Sequence, residues 1–161
     1  MGTPPQPYHP RSARTFPRTM ELGVAGGAAF WVTNFITSLI PIAAEYRAEL
    51  SISYALMVLV ESLVGGLIIG CFVGYATLRL SDRVLTKAPI LRSVAFSLIA
   101  LAIIQTFATI LDRGYPPFYI LLGAALNVPR FLALGLVVGV LDSNFADRSS
   151  GPQRSDSTHS A

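Results

Sequence analysis

Two charged side chains stand inside long apolar runs of this sequence, and they are the residues best placed to do chemistry. Glu61 lies in YALMVLVESLVGGLIIGCFVGYATL, residues 54–78, and Arg130 lies in the run from Phe118 to Leu141. A lone charge in hydrocarbon costs at least about 2.5–3.5 kcal/mol on insertion scales, so each must face protein or water and find a partner. Counted from Tyr54 and Tyr119, Glu61 stands seven residues into its run and Arg130 eleven, a difference of about 6 Å at 1.5 Å per residue. Side chains on a helix lean toward its N-terminus, which here is the outer side, and this brings Arg130 up to the level of Glu61. The spacing predicts a Glu61–Arg130 pair, with Gln105, Asn127, Thr37 and Ser38 near that depth and Asn34 somewhat deeper. Two readings fit such a pair. One is a structural ion pair that fixes helix register. The other is a polar cavity, open to the outer side, that binds a small ion or solute.

The same run carries a second pattern. Ser62, Gly66, Gly70 and Gly74 recur every four residues and, with Thr77, fill a sector about 120° wide at 100° per residue. Glu61 projects about 160° from the centre of that sector at the same angular increment. In the last apolar run Gly135 and Gly139 likewise form a small face, with Arg130 on the opposite side. Small faces let helices approach closely, which predicts either a dimer contact or close packing inside one chain.

These side chains need elements to position them. Apolar residues make up 52% of the chain and charged residues only 13%, against roughly a quarter charged in soluble domains. The charges avoid the apolar runs, as in a polytopic membrane protein. The expected fold class is all-α, with four transmembrane helices at about 22–44, 54–78, 90–111 and 118–141. Together they form a domain over 21–142, flanked by disordered cytoplasmic tails at 1–20 and 143–161. The first apolar stretch exceeds the roughly 7–15 residues of a signal-peptide core, and three more follow, so it reads as a span. Within it Asn34, Thr37, Ser38 and Pro41 share a face, and hydroxyls there are expected to bond back to the helix. Between spans come an outer loop at Glu45–Ser53, a basic loop at Arg79–Ala88 and a turn at Asp112–Pro117. Pro129 removes a backbone donor inside the fourth span.

Orientation follows from Lys and Arg placement. Arg11, Arg14 and Arg18, then Arg79, Arg83, Lys87 and Arg92, then Arg148 and Arg154 fall on one side; Arg47 and Arg113 fall on the other. The positive-inside rule puts both termini and the middle loop in the cytoplasm, within a plasma or inner membrane. A shift of 65 residues lays the second span on the fourth, matching Gly70 to Gly135 and Gly74 to Gly139. Two tandem helical hairpins would explain this, as would chance similarity between glycine-containing helices.

The basic balance, net +3, is accounted for by this asymmetry, so no nucleic-acid partner is expected. Cys71 has no second cysteine, and the histidines, His9 and His159, lie in the tails. Clustered metal sites and bis-histidine haem ligation within the spans are therefore excluded, and no cofactor or metal is expected. An enzyme is the weakest class, because Glu61 has no evident nucleophile beside it. The pattern ranks a non-catalytic accessory or assembly subunit first. A small oligomeric channel or transporter using Glu61 and Arg130 comes second. The expected partners are the lipid bilayer and either further copies of the chain or a larger membrane complex.

Overall fold

A computed structural model describes residues 15–80, 88–111, 114 and 116–149. Every element among them is helical: α1 (Thr15–Ser38), α2 (Pro41–Glu49), a π-helical segment (Ala55–Glu61), α3 (Ser62–Arg79), α4 (Pro89–Leu111) and α5 (Pro117–Ser149). Helices α3, α4 and α5 are each long and apolar enough to cross a membrane, and α1 with α2 qualifies as a pair bent by 91°. The outer stretches expected to be tails, residues 1–14 and 150–161, lie outside the described residues, as do most of the basic loop and part of the Asp112–Pro117 turn.

The first expected span, 22–44, is not one helix. Pro41 has no N–H to continue the ladder and forces the preceding residue into extended backbone. Ile40 accordingly takes φ −72°, ψ 134°, and Pro41 opens α2 as its first residue, where its missing donor has no intrahelical partner to lose. Arg47 donates from Nη1 to the Ser38 carbonyl at 3.1 Å, so a cation satisfies the open C-terminal end of α1. The expected outer loop is thus largely α2, which closes with paired backbone bonds, Ser51 N to Ala48 O at 3.1 Å and Ile52 N to Arg47 O at 2.9 Å. Two further boundaries move outward: α1 begins at Thr15, inside the stretch expected as a tail, and α5 runs on to Ser149.

Contacts between the helices give an antiparallel, up-and-down arrangement. Ascending α1, Leu22, Gly23 and Gly27 meet Gly74, Cys71 and Gly66 of α3, in descending order. Gly135 and Gly139 of α5 meet Ser97 and then Ile90 of α4 in the same reversed sense. The core lies among α1, α3 and α5, where Leu22, Val73, Leu134 and Val138 are fully enclosed. Phe30 and Phe131 meet edge to face there, 5.3 Å between centroids, an arrangement that aligns ring edge with ring face.

The glycines make these approaches possible. A Cβ on Gly70 would collide with the Gly23 carbonyl oxygen, and one on Gly66 would sit 3.1 Å from the Gly27 carbonyl oxygen. Backbone therefore lies on backbone across the α1–α3 crossing, as small-residue faces allow. Gly135 and Gly139 play the corresponding part in the second hairpin, where added Cβ atoms would come 2.8 Å from Val94 Cα and 2.6 Å from Ile90 Cα. The glycines that align under the 65-residue shift thus serve the same purpose, packing the second helix of each hairpin against its first. The glycine faces are used inside the chain.

At the end of the bundle carrying Thr15 and Arg79, Asp142 of α5 accepts Arg92 of α4 at 3.0 Å and Arg18 of α1 at 3.4 Å. Arg18 also lies over the Phe145 ring, 4.9 Å from its centroid. This end is fastened by one carboxylate shared by two guanidinium groups. At the opposite end Tyr46 of α2 rests over Gly123 and beside Tyr119 of α5.

Candidate functional site

Helix α3 touches α5 only lightly, and the space left between them is a cavity of about 310 Å³. Its walls include Phe30 of α1, Glu61 at the end of the π-helical segment, Ile69 of α3, Ile104 of α4, and Asn127 and Arg130 of α5. That volume falls at the small end of the roughly 300–1,000 Å³ typical of ligand sites. A π-helical stretch ends at the cavity wall, a rare backbone form that recurs at functional sites.

Arg130 is the polar centre of this wall. It is 6% exposed, and α5 passes through Pro129 without ending. Its Nη1 donates to Asn127 Oδ1 at 2.8 Å, one helical turn earlier, and its Nε lies 3.5 Å from the Thr37 hydroxyl. The Thr37 hydroxyl donates to the Thr33 and Asn34 carbonyls at 2.9 and 3.1 Å, which leaves its oxygen lone pairs for Arg130. Both partners of the guanidinium are neutral. Its five N–H groups form a rigid fork suited to carboxylate or phosphate, and a buried charge is costly without a counterion.

Glu61 lines the same cavity but is exposed, not buried. The expected Glu61–Arg130 ion pair is not formed: the ion pairs among the described residues are Arg18–Asp142 and Arg92–Asp142. The two charges face a common space without closing on each other. The side-chain lean that was expected to join them is taken up by Asn127 and Thr37, which hold Arg130 against α1.

The remaining candidates divide. Gln105 donates to the Ile120 carbonyl at 3.2 Å and lines a second cavity of about 130 Å³ with Tyr46, Tyr119 and Gly123. Asn127 and Ile104 border both cavities, so the two adjoin. The Ser38 hydroxyl donates to the Phe35 carbonyl at 2.6 Å, a local bond of the kind expected for these hydroxyls. Asn34 is fully enclosed, and neither its Oδ1 nor its Nδ2 has a hydrogen-bond partner among the described residues. It sits one turn after Phe30 and one turn before Ser38, on the side of α1 that meets Arg130. Gly66, Gly70 and Gly74 belong to the α1–α3 contact, whereas Ser62 is buried at the cavity edge.

The sequence reading did not single out Asp142, Gly23 or Gly27. Asp142 stood at the expected boundary of the last span and read as the start of a polar tail. Its signal was available, since the inferred orientation puts Arg18, Arg92 and Asp142 at one level. Gly23 and Gly27 repeat the four-residue spacing of the α3 face and are its counterpart.

Comparison of the chain with protein-family models, with curated proteins and with solved structures finds no match. The class that the helices and the cavity define is a helical bundle with three to four helices long and apolar enough to cross a membrane, and a largely apolar cavity between them that carries one carboxylate and one guanidinium.

Proposed function

We propose that this protein is an integral membrane bundle that binds a small anionic group at Arg130 and serves as a channel or transporter unit for the solute that carries it. The observation behind this reading is one buried guanidinium, held by two neutral partners on the wall of a cavity of about 310 Å³. A carboxylate, phosphate or sulfonate entering the cavity would supply the missing counterion and could engage the fork in two parallel bonds.

In this reading α1, α3, α4 and α5 cross the bilayer. Helix α2 lies across the outer face, and both termini are cytoplasmic. Exposed Ile68, Phe72, Ile99, Ile103 and Phe107 face lipid, where apolar surface carries no penalty. The cavity takes in Ile52, in the connection that follows α2, which in this reading is on the outer side. Four helices make a small conduit, so transport would draw on more than one copy. The glycine faces pack against α1 and α4, so a contact with a further copy or with a larger partner, as an accessory subunit would make, draws on other surfaces.

Reconstitution into liposomes tests the proposal. Entry of labelled acetate, phosphate or chloride should exceed that of empty vesicles and should fall to background with Arg130→Gln. Flux of none of these anions, together with no binding of any of them by the purified protein, would end the reading.

A further inference from the structure

Resting on the anion-binding reading of Arg130, we infer that the cavity's ligand is a small zwitterion, with its carboxylate on Arg130 and its ammonium on Glu61. The juxtaposition carries this: one carboxylate and one guanidinium line the same cavity without forming an ion pair.

The charges are the first argument. With Glu61 and Arg130 ionised, the cavity wall is neutral in sum but polarised. A simple anion would satisfy Arg130 while adding a second negative charge to a space already bordered by Glu61. A simple cation would meet the converse problem at Arg130. A solute carrying both charges satisfies each end and leaves the total unchanged, which is the electrostatically complementary solution in a site of low dielectric.

Position is the second argument. Glu61 is exposed and stands at the junction between the π-helical segment and α3, whereas Arg130 is buried and pinned by Asn127 and Thr37. The solute would therefore enter with its carboxylate leading and keep its ammonium at the mouth. Phe30, Ile69, Ile104 and Phe131 supply apolar wall for the methylene carbons between the two charges. The volume, about 310 Å³, is enough for a solute of few heavy atoms.

A matched set of probes separates this inference from the reading beneath it. Calorimetric titration of the purified full chain in lipid nanodiscs would use glycine, β-alanine and γ-aminobutyrate as zwitterions. Acetate, propionate and butyrate are the matched anions that lack the amine, and butylamine is the cation. At least one zwitterion should bind about tenfold or more tighter than its matched anion, as an added charge-assisted contact implies. Glu61→Gln should erase that preference while leaving anion binding in place, and Arg130→Gln should remove both. Equal binding of zwitterion and anion by the unaltered protein overturns the zwitterion and leaves the anion site standing. A preference that survives Glu61→Gln does the same, because the ammonium then rests elsewhere. Absence of binding by every probe, acetate included, overturns both. The comparison within the unaltered protein decides the matter even if a variant fails to fold.

Discussion

Asp142 Oδ2 lies 3.0 Å from Arg92 Nη2, and the other oxygen of the same carboxylate lies 3.4 Å from Arg18 Nη2. One acidic side chain thereby ties α5 to α4 and α1 at one end of the bundle. The Asp142 and Arg92 side chains are about nine-tenths enclosed, while Arg18 is a third exposed. The two bonds are therefore unequal. Asp142→Asn should lower stability by about 2 kcal/mol, since it removes the charge from an enclosed charge-assisted bond to Arg92 and from the bond to Arg18 together. Arg18→Gln should lower it by no more than about 1 kcal/mol, because solvent screens the more exposed pair. Thermal unfolding in detergent, compared across the two variants, measures the order. Equal effects would show that the carboxylate is not buried as described.

The α1–α3 crossing makes a sharper prediction from two neighbouring glycines. A Cβ at Gly70 would collide with the Gly23 carbonyl and come 3.0 Å from Gly27 N, whereas a Cβ at Gly65 meets nothing within 4 Å. Backbone atoms cannot swing aside as a side chain can. Gly70→Ala should destabilise the fold by about 1–3 kcal/mol through overpacking. Gly65→Ala should be neutral or stabilise by up to about 1 kcal/mol, since alanine is the better helix former. Melting temperatures of the two variants give the comparison, and a tolerant Gly70 would refute close backbone contact.

Ser51 ends α2 in the left-handed region, at φ 53°. The surrounding bonds, Ile52 N to Arg47 O and Ser51 N to Ala48 O, form the six-to-one and five-to-two pairs of a Schellman close, whose left-handed residue is usually glycine. A Cβ in that conformation costs roughly 1–2 kcal/mol, part of which glycine gives back through its freedom when unfolded. Ser51→Gly should therefore raise stability by up to about 1 kcal/mol. The readout is again thermal unfolding, and destabilisation would mean that the serine hydroxyl contributes more than its backbone costs.

Helix type and approximate position were legible because the apolar runs are long and the charges lie outside them. The break at Ile40–Pro41 was less so. A proline can open a helix or interrupt one, and the apolar residues on both sides of Pro41 hid which it did. Glu61, Arg130 and Asn127 do line one cavity, since depth along a span follows from counting. Their mutual contacts did not follow from depth, because Arg130 is drawn away by Thr37 on a helix 93 residues earlier in sequence. Depth ranks residues along the bundle axis but leaves rotation of each helix undetermined, and rotation decides who touches whom. The glycine faces were visible as patterns, yet their partners required knowing that Gly23 and Gly27 face them.

Asn127 offers a way to set stability and binding against each other. Its Oδ1 accepts from Arg130 Nη1 at 2.8 Å, so Asn127→Asp would place a carboxylate where a neutral amide now sits. The new ion pair would compensate the guanidinium from within and occupy the charge that a solute is proposed to use. Stability should rise by on the order of 1 kcal/mol, the difference between a charge-assisted and a neutral hydrogen bond. Anion binding should weaken by about tenfold or more, since the incoming group must now compete with a resident carboxylate. Asn127→Ala should instead leave the charge available, so its binding loss should be smaller than that of Asn127→Asp. Calorimetric titration with acetate and thermal unfolding of both variants measure the two quantities separately. Tighter folding with weaker binding is the outcome that a merely structural arginine would not produce, and unchanged binding in Asn127→Asp would remove Arg130 from the site.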